Sequence, residues 1–345
     1  VALSPLALAM RLRLPCLLLV PALAFPKQIW SFWDTEDLPR MAQLAVASWK
    51  YYAPDYEVKI MHFDTYKQFV QGEEHVTPKD LRHTYRFSDW LRTAVLARHG
   101  GVWLDATILL TAPLQHMVNE SASFSGIHLE DRLEGFFLAS VAGSELMKRW
   151  SDEILHISRL NKSDFDQYLT DLRARGIQPL NGAMNTCDWS FKSPLHSVAH
   201  LGLHSFAWIV NSLIFATNFY LHICNERYWM DYLYPIVAFY NVLSQEPRSH
   251  WDLHITDSLR NFNFVSFSLG WNSSDIVHFM STSRSQSFDL VGVRGIKLRK
   301  TERDMSESLK NCEEGSVICR LQRDTGMHVF AEVPALEAPD KSMEL

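Results

Sequence analysis

Hydrophobic and polar positions change their period along the first third of the chain. Residues 29–33 form a short apolar run typical of a buried strand, and residues 39–52 place apolar side chains at helical spacing after a proline. Residues 56–60 then alternate with period two, as a half-buried strand does. Strands that alternate with helices predict an α/β class, with a mostly parallel sheet flanked by helices.

The pattern is less regular farther along the chain. Apolar runs at 124–128 and 135–140 predict two more strands, and helical spacing predicts a helix over 146–157. Residues 161–195 are polar and predict a loop-rich insertion, whereas 198–223 is long and apolar. Histidine and asparagine interrupt that apolar segment, and polar groups are costly inside a membrane. A buried or membrane-surface helix is therefore favoured over a membrane span, which stays an alternative.

Both ends of the chain differ from its centre. Residues 1–24 contain a basic stretch from Met10, an apolar run and Ala-Leu-Ala before Phe25, which predict a signal peptide or leader. The alternative is a hydrophobic lead-in to the first strand. The chain turns polar near its other end, so 25–296 is expected to form the domain and 297–345 a poorly ordered tail.

Sequons at Asn119, Asn161 and Asn272 are compatible with the lumen of the secretory pathway, in the Golgi or ER. Membrane association is a further expectation, and a cytoplasmic location follows if the first segment is not a signal. Five cysteines do not decide between these compartments. Cys312 and Cys319 are close enough in sequence to close a small loop, but spacing alone does not establish a disulfide.

Composition is that of an ordinary globular protein, with 47% hydrophobic and 21% charged residues in 345. The net charge is −6 and no block of five or more basic residues occurs, so no nucleic-acid partner is expected. The many Trp and Phe residues can serve the core, or can stack on sugars or a base.

The most informative segment begins with Ser88, a plausible helix N-cap, followed by an acid and a base three residues apart, Asp89 and Arg92. Apolar residues then recur at helical spacing until Gly100 and Gly101, since glycine tolerates the left-handed conformation that ends a helix. By themselves, Asp89 and Arg92 favour the alternative, a surface ion pair between residues three apart on a helix.

A short apolar run follows the two glycines, and Asp105-Ala-Thr107 comes directly after it. A carboxylate at the carboxyl end of a buried strand lies where open α/β sheets bind their ligands. This arrangement indicates an anionic or metal-bound substrate; the alternative is a strand-end carboxylate that only accepts backbone hydrogen bonds.

Residues 88–107 resemble the signature of glycosyltransferases with a DXD-type sugar-nucleotide site. The closest likeness is to the capsular polysaccharide synthesis family, whose Gly-Gly-x-Trp-x-Asp-Ala-Thr reads as residues 100–107 do. Residues 26–34 resemble the opening strand of that family, and 48–64 its next helix and strand. The resemblance implies a nucleotide-sugar-binding (GT-A-like) fold with helical insertions.

The resemblance also implies roles for the residues of this segment. Asp105 corresponds to the first acid of the motif, which reaches the ribose, the sugar and the metal region. Thr107 stands where many relatives have a second acid, and a hydroxyl is a poorer ligand for a hard cation than a carboxylate. Asp89 and Arg92 correspond to contacts with the ribose, the sugar hydroxyls or the base, beside the Gly100–Gly101 turn.

Other residues are candidates by the same resemblance. Trp30 or Trp33 would stack on the base, with core packing as the alternative for each. His278, in an expected strand that ends with 276–279, and Arg284, which follows it, would contact the metal and the diphosphate. Asp231 would face the acceptor side of the site, or else solvent.

The resemblance therefore implies a glycosyltransferase that moves a sugar from a nucleoside diphosphate sugar to a hydroxyl of a glycan or glycoconjugate. A divalent cation, Mn²⁺ or Mg²⁺, would be the cofactor, held by Asp105 and His278. Two alternatives remain. One is a non-catalytic protein that binds a nucleotide sugar or glycan and has lost turnover; the other is a membrane-embedded protein organised around 198–223.

Overall fold

The computed structural model describes residues 25–70, 72, 76–77, 81, 83–129, 132–177, 233–269, 273–282, 292–298 and 310–327. The predictions for 1–24, 198–223, Asp231 and Arg284 lie outside these residues. Within them, no helix is both long and apolar enough to cross a membrane.

The described strands are β1 (Gln28–Phe32), β2 (Glu57–Met61), β3 (Gly101–Leu104), β4 (Ile108–Leu110), β5 (Phe124–Leu129), β6 (Arg132–Ser140), β7 (Leu253–Asp257) and β8 (Gly295–Lys297). The described α-helices are α1 (Arg40–Tyr52), α2 (Thr84–His99), α3 (Glu145–Ser158), α4 (Lys162–Ala174), α5 (Tyr234–Ser244), α6 (Phe264–Ser268), α7 (Ser273–Thr282) and α8 (Val317–Thr325).

Six strands form one sheet in the order β2-β1-β3-β6-β5-β7. The pairs β1–β2, β1–β3 and β5–β7 are parallel, whereas β6 runs antiparallel to both of its neighbours, β3 and β5. The prediction of a mostly parallel sheet flanked by helices is therefore confirmed. Strands β4 and β8 pair separately, in antiparallel register, as a small second sheet.

The two faces of the large sheet carry different helices because successive strand residues point to opposite sides. On one face, Ile29 and Val102 pack in a cluster with apolar residues of α1, α7 and α8. On the other face, Trp30 and Trp103 pack with α2, α3 and α5. The helix–sheet–helix layering leaves the carboxyl end of β3 at the junction with β4.

The predicted helix that ends at Gly100 is longer than expected. It begins at Thr84, with His83 rather than Ser88 at its N-cap, so the prediction of Ser88 as the cap is wrong. Ser88 lies inside the helix, where its carbonyl oxygen accepts a hydrogen bond from Arg92 Nε at 3.3 Å. Gly100 does cap the helix end, with a φ of 64° and its N–H donated to Leu96.

Two other segments depart from the sequence predictions. Residues 162–174, expected in a loop-rich insertion, form α4. The Asn161 side chain caps this helix by accepting a hydrogen bond from the N–H of Asp164. One face of the helix is buried through Phe165, Leu169 and Leu172. Residues 276–279, expected as a strand, lie in α7. A short apolar run fits either period, which is why this strand prediction failed.

Part of the expected poorly ordered tail is a helix in contact with the core. Helix α8 is capped by the Ser316 side chain, and its Ile318 and Leu321 are buried against the sheet face that carries α1. Cys312, which precedes this helix, forms a disulfide with Cys319, which lies in its first turn. For 310–327 the expectation of a poorly ordered tail is therefore wrong. This segment contains an amphipathic helix, and its few apolar residues stand between charged ones in the sequence.

Candidate functional site

Asp105 lies at the carboxyl end of β3, in the tight turn that leads into β4. Its backbone N–H donates to Phe136 O at 3.0 Å, and its carbonyl accepts the N–H of Ile108 at 2.9 Å. These two bonds fix the turn between β6 on one side and β4 on the other. The Asp105 side chain remains 23% exposed, so a ligand can reach it.

Three donors surround the Asp105 carboxylate. Lys297 Nζ lies 2.8 Å from Oδ2, Trp103 Nε1 lies 2.9 Å from Oδ1, and Arg92 Nη2 lies 3.4 Å from Oδ1. Burial alone would raise the pKa of Asp105, but the charges of Lys297 and Arg92 and the hydrogen bonds outweigh it and lower the pKa to about 2. Asp105 is therefore ionised at every physiological pH.

Arg92 connects Asp105 with Asp89. Its Nη2 lies 3.0 Å from Asp89 Oδ1, and its guanidinium carbon lies 5.5 Å from the centre of the Trp103 ring. The side chain is only 10% exposed. The guanidinium also passes directly over Gly135 of β6, where a Cβ atom would come within 2.3 Å of Nη1. Glycine at 135 therefore allows the guanidinium to reach both carboxylates.

Asp89 is the second carboxylate of this group, and its pKa is shifted in the opposite direction from that of Asp105. Burial is the main cause that raises the pKa of Asp89 to about 6; Asp105 adds repulsion, and Arg92 offsets part of the rise. Burial likewise raises the pKa of the nearby Glu134 carboxyl. Two carboxylates with pKa values far apart therefore share one arginine, a condition in which they can take different chemical roles.

Lys297 is the residue that the sequence predictions missed. Its Nζ lies 2.8 Å from both Asp105 Oδ2 and Thr107 Oγ1, so the ammonium bridges the first and third positions of the Asp-Ala-Thr turn. Pairing of β8 with β4 places it there, with Lys297 opposite Ile108. The only sequence signal was a lysine between Ile296 and Leu298, two apolar residues that prove fully buried.

The two tryptophans of the first strand have different surroundings. Trp30 is 1% exposed, donates its indole N–H to Gly100 O at 2.8 Å and contacts the rings of Phe69 and His99. Its ring has no face open to a base, so core packing replaces the stacking role for Trp30. Trp33 packs instead beside Ala106, within the Asp-Ala-Thr turn, and stays a candidate for the base contact.

Gly100 and Gly101 act on the backbone of the site. Their φ values are 64° and 93°, in the region that favours glycine. A Cβ on Gly100 would meet Ala142 N at 2.4 Å, and one on Gly101 would meet Gln28 O at 2.6 Å. The two glycines therefore let α2 end against the sheet and position β3.

His278 lies in α7 and is exposed, and its carbonyl oxygen accepts a hydrogen bond from Thr282 Oγ1 at 2.8 Å. It is not among the partners of Asp105 described above. Among the residues that the structure describes, no group of three or more His, Cys, Asp or Glu could hold a metal ion. The structure therefore brings together Asp89, Arg92, Asp105 and Thr107, and adds Lys297 to them.

Comparison with known proteins supports the resemblance seen in residues 100–107. The family model described as "Capsular polysaccharide synthesis protein" matches residues 23–172, which include the whole of α2, the Asp-Ala-Thr turn and β6. The family whose model matches is the one that residues 100–107 resemble, and the match covers less than half of the chain. No curated protein shows a significant match to the chain.

One similar solved structure is "PaToxG Glycosyltransferase", with 14% sequence identity and a TM-score of 0.30. The similarity covers 39% of this chain and 62% of that protein. This chain thus spans less than two thirds of the length of that structure.

Proposed function

We propose that this protein is a glycosyltransferase that moves a sugar from a nucleoside diphosphate sugar to a hydroxyl of a glycan or glycoconjugate. The observation that carries the proposal is the convergence of Asp89, Arg92 and Asp105 at the carboxyl end of β3. The match to the capsular polysaccharide synthesis family over 23–172, which contains all three residues, supports it.

The chemistry of these residues fits the needs of such a reaction. The bond between the anomeric carbon and the diphosphate breaks with its electron pair leaving on the diphosphate, and that charge must be stabilised. Arg92 can supply one positive charge while its position is fixed by Asp89. Ionised carboxylates are acceptors only, so Asp105 is suited to orient the hydroxyls of the donor sugar or ribose.

The two carboxyl pKa values separate the roles further. A general base works best with a pKa near the working pH, so Asp105, with a pKa of about 2, is poorly suited to take a proton from the acceptor hydroxyl. Asp89, with a pKa of about 6, is better suited to bind or release a proton. In this proposal Asp105 binds the donor, and Asp231 stays a prediction for the acceptor side.

A panel of nucleoside diphosphate sugars tests the proposal. We expect at least one donor to raise the melting temperature, because a ligand that binds the native state stabilises it, and to release nucleoside diphosphate when a glycan acceptor is present. Asp105→Asn should abolish the release while the protein stays folded. Binding without any release by the parent protein would instead support the alternative, a non-catalytic nucleotide-sugar- or glycan-binding protein.

We also propose that the protein works in the lumen of the secretory pathway. A disulfide between Cys312 and Cys319 is compatible with an oxidising compartment, and Asn161 of one sequon is exposed. Expression in a eukaryotic secretory host should yield protein that starts at Phe25 and carries glycans. Recovery of unprocessed, unglycosylated protein from the cytosol would contradict this location.

A further inference from the structure

The ammonium of Lys297 occupies the space between the two polar positions of the Asp-Ala-Thr turn. It lies 2.8 Å from Asp105 Oδ2 and 2.8 Å from Thr107 Oγ1, and 5.1 Å from the centre of the Phe136 ring. The side chain is 18% exposed. The turn therefore already holds a cation, and that cation belongs to the protein itself.

Hydrogen bonds to its backbone and its strand also fix the position of this lysine. Strand β8 pairs with β4, the N–H of Leu298 donates to Thr107 O at 3.0 Å, and Ser266 Oγ donates to Lys297 O at 2.7 Å. Gly295 permits this pairing, because a Cβ there would lie 2.8 Å from Leu109 O. The ammonium is therefore placed by two strands, as a preorganised group should be.

The residues of the turn do not fit a divalent cation. Mg²⁺ and Mn²⁺ prefer several oxygen ligands, with carboxylates foremost. Here one carboxylate is available, Trp103 and Arg92 approach its Oδ1, and Lys297 approaches its Oδ2. Thr107 adds only a hydroxyl, which already accepts a hydrogen bond from Lys297. A metal ion between Asp105 and Thr107 would have to displace the ammonium.

The charges of the turn agree with a lysine in this place. A carboxylate at 107 together with Asp105 would carry two negative charges and would balance a divalent ion. With threonine at 107 a single negative charge remains, and one ammonium balances it. Among the described residues, only Asp105 and Thr107 accept hydrogen bonds from the ammonium, so its third N–H can be donated to a ligand.

We propose that Lys297 takes the place of the divalent cation in this site and binds the diphosphate of the donor directly. This inference rests on the proposed function and names the group that neutralises the leaving diphosphate. As the bond from the anomeric carbon to the diphosphate oxygen breaks, the electron pair leaves on that oxygen, and Lys297 and Arg92 face the resulting charge. The acceptor oxygen bonds to the anomeric carbon, and its proton passes to solvent or a base.

Inorganic pyrophosphate is the probe that tests this inference, because it carries the shared chemistry of nucleoside diphosphates without a base or a sugar. The titration is done by calorimetry on the full chain in excess EDTA. We expect pyrophosphate to bind the parent protein without metal. Lys297→Met, which keeps the apolar stem, should weaken binding about ten- to hundredfold, as expected for one charge-assisted hydrogen bond.

Three further variants control the result. Lys297→Arg keeps the positive charge and should retain most of the binding. If Lys297→Met remains folded but binds weakly, a purely structural role of the side chain would not explain the difference between the two variants. Lys148→Met removes a charge from an exposed lysine of α3 and should leave binding unchanged. Thr107→Asp combined with Lys297→Ala restores a carboxylate and removes the ammonium, so this double variant should bind Mn²⁺ more tightly than the parent protein does.

The inference fails if the parent protein binds pyrophosphate only when Mn²⁺ or Mg²⁺ is present, or if Lys297→Met binds it as tightly as the parent does. Failure of the proposed function looks different. In that case pyrophosphate binds without metal and depends on Lys297, but no nucleoside diphosphate sugar in the panel is consumed in the presence of any acceptor.

Discussion

Substitution of Gly135 by alanine tests the geometry around Arg92 without changing any polar group. Gly135 lies in β6 beneath the guanidinium, and a Cβ atom there would lie 2.3 Å from Arg92 Nη1. The next nearest atoms, Cζ and Cδ of the same arginine, lie 3.5 and 3.8 Å away. The added methyl group therefore acts on one end of one side chain, and the backbone of the strand can stay in place.

The size of the effect follows from these distances. Carbon and nitrogen atoms that are not bonded need more than 3 Å, so the guanidinium must retreat by about 1 Å. It cannot do so and keep both the 3.0 Å contact with Asp89 and the 3.4 Å contact with Asp105. The displaced Arg92 should then lose a hydrogen bond to the diphosphate of the donor. A hydrogen bond between charged groups contributes about 1.5–3 kcal/mol, so donor affinity should fall about ten- to hundredfold.

Two measurements check this prediction, and one of them needs no ligand. The first is the affinity for the nucleoside diphosphates UDP and GDP by calorimetry. The second is the titration of Asp89 by carboxyl ¹³C NMR: its pKa should rise above about 6, because Arg92 is the largest influence that lowers it.

Gly126→Ala is the matched control. It makes the same change in the neighbouring strand β5, where the new Cβ would meet the side chains of Leu133 and Phe124 at 3.0 Å. That variant should lose stability but keep the pKa of Asp89 and the nucleotide affinity. Unchanged affinity and an unchanged Asp89 pKa in Gly135→Ala would refute the role given to the position of Arg92.

Three other predictions follow from the charges and the disulfide. The pKa of Asp105 is lowered from 3.8 to about 2 in the folded protein, so its ionised form stabilises the fold by about 2 kcal/mol above pH 4. Asp105→Asn should therefore lower the free energy of unfolding by about that amount at neutral pH, and the difference should shrink as the pH falls from about 4 to about 2 in urea titrations; a deficit that persists at low pH would argue against the charge. If donor binding needs ionised Asp89, kcat/KM should fall below a pH of about 6, and the same profile measured on Asp89→Asn should lack this step; a step that persists in the variant would assign it to another group. Reduction of the Cys312–Cys319 disulfide opens the loop that it closes in the unfolded chain, so the free energy of unfolding should fall by roughly 2–3 kcal/mol. Thermal unfolding with and without dithiothreitol measures this, and equal melting temperatures would contradict it.

The sequence predicted the part of the site that lies in one continuous segment. Asp89, Arg92, Asp105 and Thr107 fall within 19 residues, and a helix, a glycine turn and a strand suffice to bring them together. Local periodicity carries that information, because each element is specified by its own residues. The roles of these residues in donor and metal binding stay predictions.

Lys297 could not be predicted in the same way. It is 192 positions from Asp105, and it reaches the site through a strand of three residues that pairs with another strand of three residues. Strands this short carry little periodicity, and pairing between distant segments leaves no mark in either one. The same limit explains His278, which was placed on a strand because an apolar run of four residues does not distinguish a strand from a helix.

Pairing of β4 with β8 also orders events in the life of the chain. Chains fold from the N-terminal side as they are synthesised, so Asp105 and Arg92 can meet while the segment that carries Lys297 has not yet been made. A ribosome must add 192 more residues after Asp105 before the ammonium exists. An interrupted polypeptide could therefore hold its sheet and its arginine yet lack the charge at the turn. In our proposal, the diphosphate site is therefore complete only once β8 has paired with β4.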